Sequence, residues 1–519
     1  MSKCFYITTA IDYVNGQPHL GHAYEKIVAD VIARSRRSLG QEVFFLTGLD
    51  EHGQKVQQAA IAEGKSPQVY CDELAVDWKA FAKKLELTND DFVRTTEPRH
   101  KEFVQAILAK LHADGQFYQK TYEGFYSTKE ETFLTEKDRL PDGTFDPSYG
   151  EVVKLKETNY WFKLGAHQQW LIDYIEANPS FVQPDYRRNE ILGFLKNNEL
   201  EDLCISRPAA RLNWGIPLPF DKDFVTYVWF DALVNYISIP AAHGDSTVLS
   251  VLKNSQLSTL NSQLAAWPAD IHVIGKDISK FHAVYWPIML KAMDLPLPKQ
   301  ILVHGWWQKD GAKISKSTGN IVDPIAVIDE WGLDAFRFYV LRELDIGPDG
   351  NWTDAGFGSR YQAELANGLG NLVNRSLSML KRYRNGIVPA QSNELGADAQ
   401  KVIADTRKLF EENQLQSALQ SIWSLVTRAN QYVDQTAPFK LAKDPAQAQR
   451  LDEVLYNLAE ICRLLAVLLW PFLPGTATKI CAQLGLSGSP DKFSEAAWGK
   501  LSAGHQIGEP APLFPRKDG

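Results

Sequence analysis

The first fifty residues restrict the fold more than any other stretch of the chain. Phe5-Tyr6-Ile7-Thr8-Thr9 is an apolar, β-branched run that predicts a buried strand. A loop of Asn, Gly and Pro follows over 14–21, and over 23–38 Ile27, Val31 and Ile32 recur at helical spacing. Residues 42–47 (EVFFLT) predict a second buried strand, closed by Gly48. Strand, glycine loop, helix and strand make a βαβ unit, and strands without polar alternation belong to a parallel sheet covered on both faces.

A chain of 519 residues is too long for one ordinary core. Helical sequence continues to about 114, and aromatics, turns and short strands mark 115–225. A second α/β stretch runs over 225–321, with strands expected at 225–230 and 270–274. From about 359 onward the pattern is helical, punctuated by Pro438, Pro445, Pro471 and Pro474, and 503–519 reads as a Pro-rich tail. The expected fold class is therefore α/β: a Rossmann-like parallel-sheet catalytic domain split by an insertion, followed by an all-α helical bundle. The expected divisions are 1–114 and 226–325 for the two halves of the sheet domain, 115–225 for the insertion, 326–358 for a linker and 359–519 for the bundle.

Net charge is −8, which excludes a globally basic surface and requires any nucleic-acid contact to be a local patch. The five cysteines are scattered without CxxC spacing, so a reduced, cytoplasmic protein without a disulfide framework is expected. The N-terminus enters a strand pattern at once, without the apolar core of a signal peptide. The longest apolar run, 464–470, is far too short to span a bilayer.

Two short segments carry chemistry. Pro18-His19-Leu20-Gly21-His22 lies between the first strand and the first helix, where doubly wound sheets bind ligands. Gly21 lets a bulky ring approach the backbone, the helix behind it favours phosphate, and two histidines three residues apart can donate hydrogen bonds to phosphate oxygens. The second is Lys313-Ile314-Ser315-Lys316-Ser317, bounded by glycines. A loop like this can close its ammonium groups on a pyrophosphate leaving group.

Together the segments HLGH and KISKS, in this order and almost 300 residues apart, resemble the two signatures of class I aminoacyl-tRNA synthetases. Three further segments resemble the methionyl family of that class. They are Ala10-Ile11-Asp12-Tyr13, the run Tyr227-Val228-Trp229-Phe230-Asp231-Ala232-Leu233-Val234-Asn235-Tyr236, and Gly275-Lys276-Asp277-Ile278-Ser279-Lys280-Phe281-His282 continuing to Trp286. The resemblance implies a methionine site of Ala10, Ile11, Tyr13, Trp229, Ala232, Leu233, Tyr236, Ile278, His282 and Trp286, with Asp50 holding the substrate ammonium. It implies an ATP site of His19, Gly21, His22, Gly275, Asp277, Lys313 and Lys316, of which His19, His22, Lys313 and Lys316 are catalytic. A thioether packs well against ring edges, which suits so aromatic a set. ATP with Mg2+, L-methionine and tRNA(Met) are the expected partners, and methionine activation followed by transfer to tRNA the expected reaction. The insertion is too short for the hydrolytic editing domain of the valyl, isoleucyl and leucyl relatives.

Many relatives in the family carry zinc knuckles in the insertion. Here Ser127 and Glu130 stand in the places of the first cysteine pair, so no structural zinc is expected. In the helical part, Asn367, Asn371 and Arg375 recur every four residues as a polar stripe, with Leu365, Leu369, Leu372 and Leu380 toward the core. Asn371 and Arg375 resemble the family's anticodon contacts. So does the segment from Tyr432 to Lys443, where Phe439 replaces the usual Trp and can still stack on a base. Some relatives continue into a dimerising OB-fold. This chain ends after Leu513-Phe514-Pro515-Arg516, so a monomer is expected.

Overall fold

The computed structural model describes residues 4–14, 16–127, 132–134, 136–243, 266–313 and 320–516. The chain divides into two compact units. The first comprises Met1–Gln17, Leu46–Ala80 and Asn89–Val303, and the second comprises Pro18–Phe45, Phe81–Thr88 and His304–Gly519.

The first unit is built on a six-stranded sheet. Its strands include β1 (Phe5–Tyr13), β2 (Val43–Asp50) and β3 (Asp91–Arg94), and its order is β3, β2, β1, Ile271–Gly275, Gln300–His304, Val182–Gln183. β1 runs parallel to Ile271–Gly275, with Ile7 opposite Ile271, and β2 runs parallel to β3. The central strands are buried along nearly their whole length, which is why they read as unbroken apolar runs.

Three local expectations are corrected here. β2 does not close at Gly48 but continues to Asp50. A Cβ on Gly48 would stand 2.1 Å from the Val93 carbonyl, so the glycine permits close approach of β3 rather than a turn. β3 itself interrupts a stretch read as helical. The strand expected at 225–230 is only Phe224–Thr226, and a helix starts at Val228 and runs to His243. An unbroken apolar run is compatible with a buried strand or a buried helix, and periodicity does not separate them.

The insertion centres on an antiparallel sheet in which Phe117–Ser127 and Val152–Phe162 pair along their full 11 residues, Phe117 opposite Phe162 and Ser127 opposite Val152. These strands are longer than the turn-rich sequence suggests, and two helices, Gln168–Ala177 and Asp185–Asn197, accompany them. Ser127 is buried and its hydroxyl donates to the Tyr149 carbonyl at 2.6 Å. Glu130 lies outside the described residues.

The second unit is mainly helical, with a small sheet of Ala312–Lys313, Trp307–Lys309 and Gly350–Trp352. Its first helix, α1 (Leu20–Ser38), begins three residues earlier than the spacing suggests and is buried on nearly every side. α1 carries an ion network into the interior. Asp30 accepts from Arg34 and Arg337, both at 2.8 Å, and from the Thr88 backbone N–H at 2.8 Å. Arg337, fully buried, also donates to the carbonyls of Phe472 and Pro471. The Arg337 and Arg34 guanidiniums outweigh burial and hold the Asp30 carboxyl below the ordinary carboxylate range. Long helices follow at Asn371–Arg384, Gly396–Glu411, Leu415–Thr436 and Ala448–Leu469. The stretch 503–516 is not a loose tail: Leu513 and Phe514 are buried, and Gln483 exchanges two hydrogen bonds with Ala511.

Candidate active site

In the first unit the ends of two neighbouring strands, β1 and β2, meet. β1 delivers Ala10, Ile11 and Tyr13, and β2 delivers Asp50. The Val14 N–H donates to the Asp50 carbonyl at 3.1 Å and holds the strand ends together. Ala10 and Asp50 are buried, while Ile11 and Tyr13 are half-buried. The next residue, Glu51, is fully anchored. Its carboxylate takes Arg94 at 2.6 Å and the Thr96 hydroxyl, and its carbonyl takes the Trp214 indole N–H at 2.5 Å.

The helix Val228–His243 supplies Trp229, Ala232, Leu233 and Tyr236, an i, i+3, i+4, i+7 set that lies on one face. The remaining residues of the set come from 278–286, which follows the strand Ile271–Gly275. His282 lies in a single π-helical turn, Phe281–Tyr285, a departure from α geometry often found at functional sites.

Hydrogen bonds fix the rings. His282 Nδ1 is 3.0 Å from the Ile278 carbonyl, which can only accept, so Nδ1 bears the proton. His282 Nε2 then accepts from the Tyr236 hydroxyl at 2.7 Å. The Trp286 indole donates to His272 Nε2 at 3.3 Å, which leaves the His272 Nδ1 proton facing the Thr8 hydroxyl at 2.7 Å. Burial pushes the His272 pKa well below its ordinary value, in keeping with this neutral tautomer. Tyr236 packs against Trp286 with centroids 5.9 Å apart, and Trp229 stacks on Phe281 at 3.7 Å. Gly275 ends its strand buried, and Asp277 is exposed on the turn Lys276–Ile278. A carboxylate at a strand end, in a unit with this aromatic cluster, suits a ligand that has an ammonium group and an apolar chain.

In the second unit the HLGH segment is the start of α1 rather than a loop before it. His19 is the N-cap, Leu20 is buried, and Gly21 and His22 lie in the first turn. His19 Nδ1 accepts from the Gly21 N–H at 3.1 Å, and His22 Nδ1 accepts from the His19 N–H at 3.2 Å. Both neutral rings therefore carry their proton on Nε2, a donor position. The rings stack with centroids 3.7 Å apart. The ring that approaches Gly21 is that of His19, 3.1 Å from where a Cβ would stand. Two imidazole donors at the positive end of a helix of 19 residues suit a phosphate. Lys313 closes the short strand Ala312–Lys313 after a turn with positive φ at Asp310 and Gly311. Its side chain and Lys316 lie outside the described residues.

In the helical part, Asn367 is exposed and Asn371 and Arg375 are half-buried, while the four leucines are buried as the spacing implies. Tyr361–Gly370 is π-helical, a change of winding that periodicity does not reveal. Arg375 reaches Asp434 at 3.5 Å, which brings the two segments singled out from sequence together. Phe439 is 45% exposed, unusual for a ring of its size.

Sequence reasoning missed several residues that build the first unit's cluster: His52, Trp214, His272 and Phe281. Phe281 stands within a segment already singled out, just before His282, and His52 follows Asp50 by two residues. Asp231 beside His52, Thr8 beside His272, Glu51 beside Trp214 and Trp229 beside Phe281 are far away in the chain, and no local signal marks those contacts.

Similarity to known proteins identifies the family of the chain. The model of class I tRNA synthetases (M) matches residues 5–145 and 146–377, and that of the anticodon binding domain of methionyl tRNA ligase matches 384–518. The methionine–tRNA ligase of Bacillus subtilis is 42% identical over 99% of this chain and 78% of its own length. That of Rickettsia felis is 41% identical over all of this chain and 99% of its own. The structure of Mycobacterium tuberculosis methionyl-tRNA synthetase bound by methionyl-adenylate superposes with a TM-score of 0.90 at 36% identity, covering 99% of this chain and 100% of that one. With family models over nearly its whole length and full-length relatives above 40% identity, the chain belongs to the methionyl-tRNA synthetase family of class I aminoacyl-tRNA synthetases.

Proposed function

We infer that this chain is a methionine–tRNA ligase. A methionine carboxylate oxygen attacks the α-phosphorus of ATP, the bond to the β-phosphate breaks, and pyrophosphate leaves. The 3′-terminal adenosine hydroxyl of tRNA(Met) then attacks the carbonyl of methionyl-adenylate, and AMP leaves. The observation that carries this reading is the ring cluster of Tyr236, His282 and Trp286 in the same unit as the buried Asp50. Its support is full-length similarity to a synthetase solved with methionyl-adenylate.

Ala10, Ile11, Tyr13, Trp229, Ala232, Leu233, Tyr236, Ile278, His282 and Trp286 hold the methionine side chain, and the Asp50 carboxylate holds its ammonium. His19 and His22 donate from Nε2 to the phosphates, Gly21 leaves space, and Gly275 and Asp277 complete the nucleotide site. Lys313 and Lys316 stabilise the departing pyrophosphate, whose charge grows only in the transition state. Mg2+ enters with ATP as part of the substrate. Asn371, Arg375 and Phe439 contact the anticodon. The five-part domain division, a cytoplasmic location and a monomeric state belong to the same proposal. Among the described residues no helix is long and apolar enough to cross a membrane.

The test is amino-acid-dependent ATP–pyrophosphate exchange with methionine, leucine, isoleucine, valine, cysteine and homocysteine, followed by tRNA charging. Strong preference for methionine is expected. Preference for another amino acid overturns the pocket assignment, and absence of exchange in folded protein with magnesium overturns the activity.

A further inference from the structure

Behind Asp50 lies a buried pair that the reaction above does not use. His52 Nδ1 is 3.1 Å from Asp231 Oδ2, and both side chains are almost wholly out of solvent, at 3% and 0% exposure. The two residues are 179 positions apart in sequence. His52 follows Asp50 by two residues on the segment leaving β2. Asp231 lies on the helix Val228–His243, between Trp229 and Ala232.

The surroundings show what this contact adds. Arg94, Thr96 and Trp214 fix Glu51, and the Gly53 N–H donates to the Trp214 carbonyl at 3.2 Å. Gln57 Oε1 accepts from the backbone N–H groups of Asn213 and Trp214, both at 3.1 Å. These bonds fix the backbone after Asp50 to 94–96 and 213–214. None of them reaches the helix that carries Trp229, Ala232, Leu233 and Tyr236. The His52–Asp231 contact does.

We propose that His52 and Asp231 are positioning residues that set the separation between the ammonium-binding carboxylate of Asp50 and the ring-lined wall on the helix Val228–His243. The proposal rests on the assignment of Asp50 made above. A bound methionine, although its side chain rotates freely in solution, must place its ammonium and its thioether at one separation. An enzyme that holds both ends gains from keeping their two sites at a set spacing. Burial also acts on the titration of both groups. It lowers the His52 pKa to about 3 and raises that of Asp231. A neutral imidazole at His52 introduces no cation to compete for Asp50. Among the described residues Asp231 Oδ1 has no hydrogen-bond partner, and His52 is the side chain's hydrogen-bond partner there.

The test compares His52→Ala, Asp231→Ala, the double variant and the shape-preserving His52→Asn, whose amide nitrogen occupies the place of Nδ1. Methionine KM and ATP KM are read separately from exchange kinetics, with thermal midpoints alongside. Each alanine variant is expected to raise methionine KM about tenfold, the effect of one buried hydrogen bond, with ATP KM unchanged. The double variant should be no worse than the worse single, and His52→Asn should stay within about twofold of the parent. A fall in thermal midpoint with no selective rise in methionine KM overturns the positioning role and leaves a structural one. So does a His52→Asn variant as impaired as His52→Ala. Asp50→Asn separates the two readings. If it raises methionine KM while the pair variants do not, the pair proposal alone fails; if it has no effect, the Asp50 assignment and the pair proposal fail together.

Discussion

Tyr236→Phe removes one oxygen atom and isolates one hydrogen bond of the candidate site. The ring stays in place, 1% exposed and packed on Trp286. What is lost is the donor to His282 Nε2. His282 cannot compensate by moving its proton, because Nδ1 is committed to the Ile278 carbonyl. The variant therefore leaves a buried acceptor without a donor, a cost of about 1–3 kcal/mol. The His282 ring also loses one of its two fixed points, so part of that cost is met when methionine binds against the wall. At 1–2 kcal/mol the methionine KM rises about 5- to 30-fold. ATP KM should not move. The assay is exchange kinetics with methionine and ATP varied in turn, on Tyr236→Phe, His282→Gln and the double variant. The expected signature is non-additivity, since either substitution alone already breaks the bond. Additive effects within about 0.5 kcal/mol would refute the reasoning, because residues that share no interaction behave that way.

Gly48→Ala should be severe, about 4 kcal/mol or outright loss of folded protein, because the new methyl meets the Val93 carbonyl where β2 and β3 pair; urea unfolding reads it. His100 is buried, and burial lowers its pKa to about 3. Between that value and about 6.5 the unfolded chain binds a proton that the folded chain does not, so stability rises with pH through this window and is complete above it. Acidifying from pH 6.5 to 5 should cost about 2 kcal/mol from this residue, and the difference in urea stability between parent and His100→Gln should narrow as pH falls. Phe439→Ala should raise the tRNA KM in charging about tenfold by removing one stacking platform, while methionine-dependent exchange is unchanged. Lys316→Ala should lower the exchange rate far more than it weakens methionine binding; an unchanged rate would remove Lys316 from the mechanism.

Much of the site was readable from the chain because its members sit in contiguous segments. Trp229, Ala232, Leu233 and Tyr236 are spaced for one helix face, and the structure puts them on one, although their first residues read as a strand. HLGH stands out in the sequence as a candidate phosphate-binding element, but that His19 caps α1 and His22 lies in its first turn was not legible. Capping depends on which backbone N–H each ring accepts from, and sequence does not specify that. The partners of buried polar groups were least legible. His272 is held between Trp286 and Thr8, 264 residues away, and His52 by Asp231, 179 residues away. Gly48 misled for a related reason. Its missing side chain answers to a neighbouring strand, whereas local pattern treats a glycine as the end of its own.

The ion network of α1 bears on how the chain is made. Asp30 leaves the ribosome 307 residues ahead of Arg337. At about 5–20 residues per second that interval lasts roughly 15–60 seconds. Through it α1 carries Asp30 and Arg34 with no Arg337 to complete the network, and the helices that bury its apolar side do not yet exist. The nascent chain must therefore shelter this helix, or leave it unwound, until its second half has emerged. Substitutions that increase the apolar surface of α1 should reduce yield during synthesis even where they are harmless to the finished protein.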